Sequence, residues 1–105
     1  MRIALIQMNS DERKELNLDR AEEMIREASL SRPDIVALPE CFNFLASEKE
    51  TLATAETIPG PTINRFSLLS QKYGFFLLAG SIAERTSNPE RYRNTSVLIG
   101  PDGTL

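Results

Sequence analysis

Three short stretches of this chain are apolar at consecutive positions, so both alternating faces of each stretch are hydrophobic. They are Ile3 to Ile6, Ile35 to Leu38 and Phe75 to Ala79. Strands buried on both faces read as continuous apolar runs, and they are typical of parallel sheets that are covered on both sides. The sequence therefore predicts an α/β domain whose sheet needs a layer of structure on each side.

A helical pattern separates the first two strands, which are predicted over Arg2 to Met8 and Asp34 to Leu38. Apolar residues recur at helical spacing from Leu18 to Ala28. Asn17 is predicted to cap the start of this helix, and Pro33 to stop it before the second strand. The pattern indicates a βαβ unit, in which the second strand runs parallel to the first.

The rest of the chain predicts a loop, a second core helix and two more strands. Ser47 and Glu50 have the spacing of a capping box and indicate a short surface helix. Apolar positions from Ile63 to Tyr73 follow a Pro-Gly-Pro turn and predict a helix that Gly74 ends. The remaining segments are a third strand from Phe75 to Ser81, a polar connection from Glu84 to Arg93, a fourth strand from Thr95 to Ile99 and a turn at Pro101-Asp102-Gly103.

The predicted elements do not complete a domain. Two core helices cover only one side of a sheet, whereas the strands are apolar on both sides. The sequence also ends two residues after a tight turn, where a further strand is expected to pair with the exposed edge. We interpret residues 1–105 as the N-terminal part of one larger domain.

Composition narrows the classes of function. The formal charge of -3 is spread over interspersed acids and bases, which gives no basic stripe for a nucleic acid. The apolar start is shorter than a signal-peptide core, and no run approaches the roughly 18 apolar residues of a membrane span. We expect a cytoplasmic protein with neither a nucleic-acid nor a membrane partner. A single cysteine and no histidine exclude an internal disulfide, a His-containing zinc site and any Cys-His or Ser-His nucleophile within these residues.

Glu40 is the candidate catalytic residue. It follows an apolar strand and a proline, at the carboxyl end of a strand that is predicted to be parallel. This is where open α/β sheets bind ligands, and a carboxylate directed into a crevice there can act as a general base. The alternative is an exposed acid on a loop.

The residues after Glu40 invite two further interpretations. In an extended segment neighbouring side chains point to opposite faces, so Glu40 is not expected to deprotonate Cys41, and Cys41 is interpreted as a small buried residue. Phe42 and Phe44 are predicted to bind substrate by lining a pocket, with core packing or a position at the rim as the alternative. No glycine-rich phosphate-binding loop is present, so nucleotide binding has no support.

Three segments carry a resemblance to a known family. They are Ile3 to Met8, Asp34 to Asn43 and Asn94 to Gly103, and together they closely resemble the opening of nitrilase-superfamily amidases. The likeness extends over all 105 residues. It lies nearest the Nit branch, which includes the omega-amidase and the deaminated-glutathione amidase.

The resemblance implies a fold and a catalytic triad. The implied fold is the N-terminal portion of a nitrilase-like αββα sandwich, in the order βαβ, loop, α, β, β. The implied triad is Glu-Lys-Cys, in which Glu40 matches the glutamate, the general base, while the lysine and the nucleophilic cysteine are expected beyond Leu105. Asn94 matches a recurrent asparagine near the site, to which we assign a structural role.

The other lysines and the cysteine of this chain do not match the triad. Lys14, Lys49 and Lys72 occupy none of the family's lysine motifs, and Cys41 is not at the nucleophile's position. The resemblance thus implies a carbon-nitrogen hydrolase that cleaves a small carboxamide through a thioester, without metal or cofactor. It also implies a homo-oligomer, and it implies that these residues alone are inactive. The alternative is a non-catalytic half-domain that acts as a binding or oligomerisation module.

Overall fold

The computed structural model describes residues 1–105, which form four strands and three helices. In chain order the elements are β1 (Ile3–Leu5), α1 (Lys14–Ser29), β2 (Ile35–Leu38), α2 (Glu48–Thr54), α3 (Pro61–Tyr73), β3 (Phe76–Arg85) and β4 (Tyr92–Ile99). This is the predicted βαβ, loop, α, β, β order, with α2 as the short helix within the loop. The α/β class predicted from the sequence is confirmed.

The strands form one sheet in the order β1-β2-β3-β4. β2 is parallel to both β1 and β3, and Ile35 lies opposite Ile3 on one side and Phe76 on the other. β4 is antiparallel to β3. The carboxyl ends of three parallel strands therefore meet at one edge of the sheet, and Glu40 follows the middle one.

Helices α1 and α3 pack on the same face of the sheet and enclose the core. Ala21 and Ile25 of α1 and Ile63 and Phe66 of α3 have no exposed surface. The core contains sixteen buried hydrophobic residues, namely Ile6, Leu18, Ala21, Ile25, Val36, Leu38, Phe42, Ile63, Phe66, Leu69, Phe75, Leu77, Ala79, Ile82, Val97 and Ile99. Except at Ile82, the strand members of this set alternate along their strands, as expected for one covered face.

The opposite face of the sheet is apolar and uncovered. Its two cross-strand rows are Ile3, Ile35 and Phe76, followed by Leu5, Ala37, Leu78 and Leu98, and we call these seven residues the open face. Leu5 is 80% exposed and Leu98 is 53% exposed. The prediction that the two core helices leave one side of the sheet bare is therefore confirmed.

Asn17 does not cap α1, so that prediction was wrong. The helix begins at Lys14, and the residue before it, Arg13, makes no side-chain cap. Asn17 is instead a fully buried residue in the first helical turns. Its amide donates to the carbonyl oxygens of Asp11 at 2.7 Å and of Asn43 at 3.0 Å, because the loops before α1 and after β2 converge there.

The predicted start of α2 and the predicted end of α3 are confirmed. Ser47 accepts from the Glu50 backbone N–H while the Glu50 side chain accepts from the Ser47 N–H, which completes the capping box of α2. Gly74 ends α3 with a left-handed φ of 72°. None of the three helices is both long and apolar enough to cross a lipid bilayer.

The predicted polar connection between the last two strands was too long. β3 continues to Arg85 and β4 begins at Tyr92, so Glu84 and Arg93 pair across the ladder rather than lying in a loop. The backbone ladder of β3 and β4 therefore extends through this polar segment. The first strand is shorter than predicted, since β1 ends at Leu5.

Candidate active site

Glu40 lies at the carboxyl edge of the parallel strands. β2 ends at Leu38, and the Pro39 carbonyl oxygen still accepts from the Ser81 backbone N–H at 3.0 Å, so the chain follows β3 for one more residue before it turns away. The Glu40 side chain is exposed at this edge. The structure therefore puts the carboxylate where the sequence predicts a ligand-handling group.

A hydrogen-bonded network links Glu40 to the antiparallel hairpin. Asn94 Nδ2 of β4 donates to Glu40 Oε1 at 2.7 Å, while Glu40 Oε2 accepts no hydrogen bond within the chain. The Ser81 hydroxyl of β3 donates to Asn94 Oδ1 and accepts from the Cys41 backbone N–H at 3.4 Å. Residues from three segments thus fix one oxygen of the carboxylate and leave the other available.

Ser81 enters this network because β3 has an irregularity. The register shifts between Ala79 and Ile82, so two residues of β3 oppose one of β4. Consecutive residues Ser81 and Ile82 are both buried, which regular alternation does not allow. Bulges redirect side chains and are common next to active sites. No local sequence pattern indicates Ser81, since its position depends on the pairing of β3 with β4.

Cys41 is not an activated nucleophile in this structure. It has a left-handed φ of 54° in a turn, so the extended geometry assumed for Glu40 and Cys41 was wrong, and Cys41 is half-buried rather than buried. Burial raises the pKa of the Cys41 thiol, and the Glu40 charge raises it further. The thiol is held in its protonated form, which is a poor nucleophile.

Phe42 lies within the core. It has no exposed surface, and its ring contacts that of Phe66 edge to face, with ring centroids 5.2 Å apart. This position favours the core alternative for Phe42. Phe44 is half-buried on the same loop. Their role in substrate binding stays a prediction.

Polar contacts join the loop that carries Glu40 to the loop before α1. The Ser10 hydroxyl donates to the Phe42 carbonyl oxygen at 3.1 Å, and the Leu45 N–H donates to the Asp11 carbonyl oxygen at 3.0 Å. Together with the contacts of Asn17, these bonds join the loop after β2 to the loop after β1. They restrict the backbone that positions Glu40.

A buried ion pair anchors the next part of the loop. Glu56 is 6% exposed, and its carboxylate lies 2.5 Å from Lys14 Nζ. It also accepts from the Thr62 N–H at 2.8 Å and from the Thr62 hydroxyl at 2.5 Å. Burial raises the pKa of Glu56, but hydrogen bonds from Lys14 and Thr62 outweigh this and hold the pKa below its ordinary value. The sequence offered no local sign of this pair.

Glu56→Gln is expected to lower the free energy of unfolding by about 2–4 kcal/mol at neutral pH, because Lys14 loses its buried partner. A carboxylate with a lowered pKa stabilises the fold above its ordinary pKa of 4.5, and this contribution disappears as the pH falls further. Urea unfolding of parent and variant at several pH values measures the difference, which should shrink in acid. The matched control Glu22→Gln removes a more exposed partner of Arg65 and should cost less than about 1 kcal/mol.

An open cleft of about 770 Å³ lies beside the network, between α2 and the β3–β4 hairpin. Its lining is mostly polar and consists of Glu48, Lys49, Leu52, Glu90, Arg91, Tyr92 and Asn94. Asn94 therefore borders the cleft on one side and bonds Glu40 on the other. No group of three or more histidine, cysteine, aspartate or glutamate residues is arranged to hold a metal ion.

Comparison with known proteins identifies the family. Residues 2–105 match the sequence model of the family described as carbon-nitrogen hydrolase. The chain belongs to the carbon-nitrogen hydrolase family. Among its relatives, the omega-amidase NIT2 of Xenopus tropicalis is 41% identical over 104 residues, which is 99% of this chain and 37% of that protein. The chain thus spans a little over a third of the relatives it matches.

Solved structures agree with this assignment. Nit3 of Saccharomyces cerevisiae, a member of branch 10 of the nitrilase superfamily, superposes with a TM-score of 0.86 at 31% identity over 100% of this chain and 41% of that one. The NitFhit protein of C. elegans gives a TM-score of 0.87 at 29% identity over 97% of this chain and 25% of that one. The resemblance to the nitrilase superfamily and the predicted α/β fold class are confirmed.

The lysines of this carbon-nitrogen hydrolase chain have distinct surroundings. Lys14 pairs with Glu56, and Lys72 Nζ lies 5.2 Å from the centre of the Tyr73 ring. Lys49 of α2 lines the same cleft as Asn94. Lys49 is therefore the lysine to test against the expectation that the catalytic lysine lies beyond Leu105.

Proposed function

We propose that Glu40 is the general base of an amidase that hydrolyses a small carboxamide through a cysteine thioester, with a Glu-Lys-Cys triad. The observation that carries this is the carboxylate at the edge of the parallel strands, with Oε1 bonded to Asn94 and Oε2 available. Membership of the carbon-nitrogen hydrolase family and the likeness to omega-amidases support it.

The proposed reaction needs a proton acceptor at two steps. Glu40 takes the proton of a cysteine thiol, the thiolate attacks the amide carbonyl carbon, and a lysine stabilises the resulting oxyanion. The C–N bond breaks as Glu40 returns the proton to the leaving ammonia. Glu40 then deprotonates a water that attacks the thioester, which releases the carboxylic acid and restores the thiol.

The lysine and cysteine of the proposed triad belong to sequence beyond Leu105, so we expect residues 1–105 to be inactive alone. The span of 37% of the relatives supports this division. The raised pKa of Cys41 supports a nucleophile elsewhere. A cytoplasmic location, a homo-oligomeric assembly, and substrate contacts of Phe42 and Phe44 belong to the same proposal.

A second candidate is a binding or oligomerisation module without catalysis. The open face favours it, because an apolar surface of this kind normally contacts another protein surface. An assay of the whole protein for release of ammonia from small carboxamides distinguishes the two candidates. The amidase releases ammonia without added metal or cofactor, and the module does not.

Cys41→Ser in the whole protein is expected to keep turnover within a few-fold of the parent, because Cys41 is not the proposed nucleophile. Intact-mass and peptide analysis after mixing with substrate should find the acyl adduct on a cysteine beyond Leu105. Lys49→Met serves as the parallel test for lysine and should also retain activity. An adduct on Cys41, or loss of turnover in either variant, would contradict the proposed assignment.

A further inference from the structure

Asn94 contacts Glu40 from a distant part of the sequence. It lies on β4, fifty-four positions from Glu40, and its Nδ2 donates to Glu40 Oε1 at 2.7 Å. Pairing of Asn94 with Ala83 of β3 fixes its backbone. A neutral amide can hold a carboxylate in place without the full positive charge that would favour the ionised form and weaken it as a base.

A hydrogen bond from Ser81 supports the orientation of the Asn94 amide that suits Glu40. An asparagine side chain can present either its N–H group or its carbonyl oxygen, and only the N–H group suits a carboxylate. Ser81 is 3% exposed, and its hydroxyl oxygen accepts from the Cys41 backbone N–H while its single proton is donated to Asn94 Oδ1. This leaves the Asn94 N–H group facing Glu40.

We propose that Ser81 and Asn94 are positioning residues for the catalytic base. Asn94 holds Glu40 Oε1, so that Oε2 is presented to the thiol, and Ser81 acts only through the orientation of Asn94. This goes beyond the structural role predicted for Asn94 from the sequence. It rests on the proposed function of Glu40 as the general base.

The test measures kcat and KM for Asn94→Ala, Asn94→Asp and Ser81→Ala in the whole protein. Asn94→Ala is expected to lower kcat about 10–100-fold, within the range of a misplaced catalytic group, with KM within about twofold of the parent. Asn94→Asp keeps the shape but loses the donor, and should lower kcat at least as much. Ser81→Ala should lower kcat about 3–10-fold, since the Asn94 side-chain amide can then rotate and exchange its N–H group and its oxygen.

A double variant separates positioning from a general effect on the fold. Because Ser81 acts through Asn94, Ser81→Ala should change kcat less than about twofold in the Asn94→Ala background. Ser70→Ala is the matched control. Ser70 is another buried serine, whose hydroxyl oxygen lies within hydrogen-bond distance of the carbonyl oxygens of Phe75 at 2.6 Å and Gly100 at 2.8 Å. It should lower the melting temperature and leave kcat unchanged.

Several outcomes would overturn the proposal. These are kcat near the parent value in both Asn94 variants, a raised KM with unchanged kcat, and additive effects of Ser81→Ala and Asn94→Ala. If Asn94→Ala fails to fold, Asn94→Asp and Ser81→Ala decide the matter. Glu40→Gln distinguishes the two levels of failure. If it is inactive while the Asn94 variants are active, only the positioning role is wrong, whereas an active Glu40→Gln would refute the general base itself.

Discussion

Glu40→Gln in the whole protein is expected to lower kcat by about 10²–10⁴-fold, the usual contribution of a general acid–base catalyst, while the protein folds normally. The glutamine carbonyl oxygen can accept from Asn94 as Glu40 Oε1 does. The amide nitrogen then takes the position of Oε2 and cannot accept the thiol proton. Because Glu40 is exposed, the substitution should change the free energy of unfolding of the protein by less than about 1 kcal/mol. Steady-state ammonia release and urea unfolding measure the two effects.

The matched control is Glu84→Gln. Glu84 is a half-buried carboxylate of β3 that accepts from the Thr95 hydroxyl at 2.9 Å, so the same chemical change is made on the same hairpin as Asn94. This variant should retain turnover within a few-fold. Glu40→Gln activity near that of the parent would rule out Glu40 as the base, and equal losses in both variants would indicate a general disturbance of the hairpin.

The second prediction concerns the open face. By itself, the chain of 105 residues is expected to self-associate at micromolar concentration through Ile3, Leu5, Ile35, Ala37, Phe76, Leu78 and Leu98. Contiguous apolar patches above about 300–600 Å² are rare on soluble monomers and mark contact surfaces. Sedimentation should find species larger than a monomer, and a dye that reports apolar surface should become fluorescent.

Charged substitutions test which surface is responsible. Leu78→Lys and Leu98→Lys should each weaken association by about 10–100-fold, since a buried leucine contributes about 1.5–3 kcal/mol and each 1.4 kcal/mol is about tenfold. Leu30→Lys is the matched control, because Leu30 is 83% exposed at the end of α1, away from the sheet. A monomer that does not increase the dye fluorescence and melts cooperatively would contradict the prediction. Equal weakening of self-association by Leu30→Lys would also contradict it.

Much of the fold could be predicted from the sequence, because the helix ends and the strands depend on residues that are close together in the chain. The capping box of Ser47 and Glu50 spans one helical turn. Gly74 ends α3 because glycine adopts the left-handed backbone conformation without steric cost. The consecutive apolar residues of β2 predicted a sheet that needs cover on both faces, and the position of Glu40 after that strand predicted the candidate site. The same local reasoning misassigned Asn17 and cut β3 short at Ser81.

The sequence by itself determined the strand and helix order, the two-sided apolar sheet and Glu40 as the candidate base. Only the tertiary structure decided which polar groups meet. Asn94 reaches Glu40, and Ser81 reaches Asn94, because the register of β4 on β3 and the irregularity after Ala79 bring them there. Lys14 and Glu56 pair across forty-two positions. Such contacts depend on how whole elements pack, and a pattern of neighbouring residues does not contain that information.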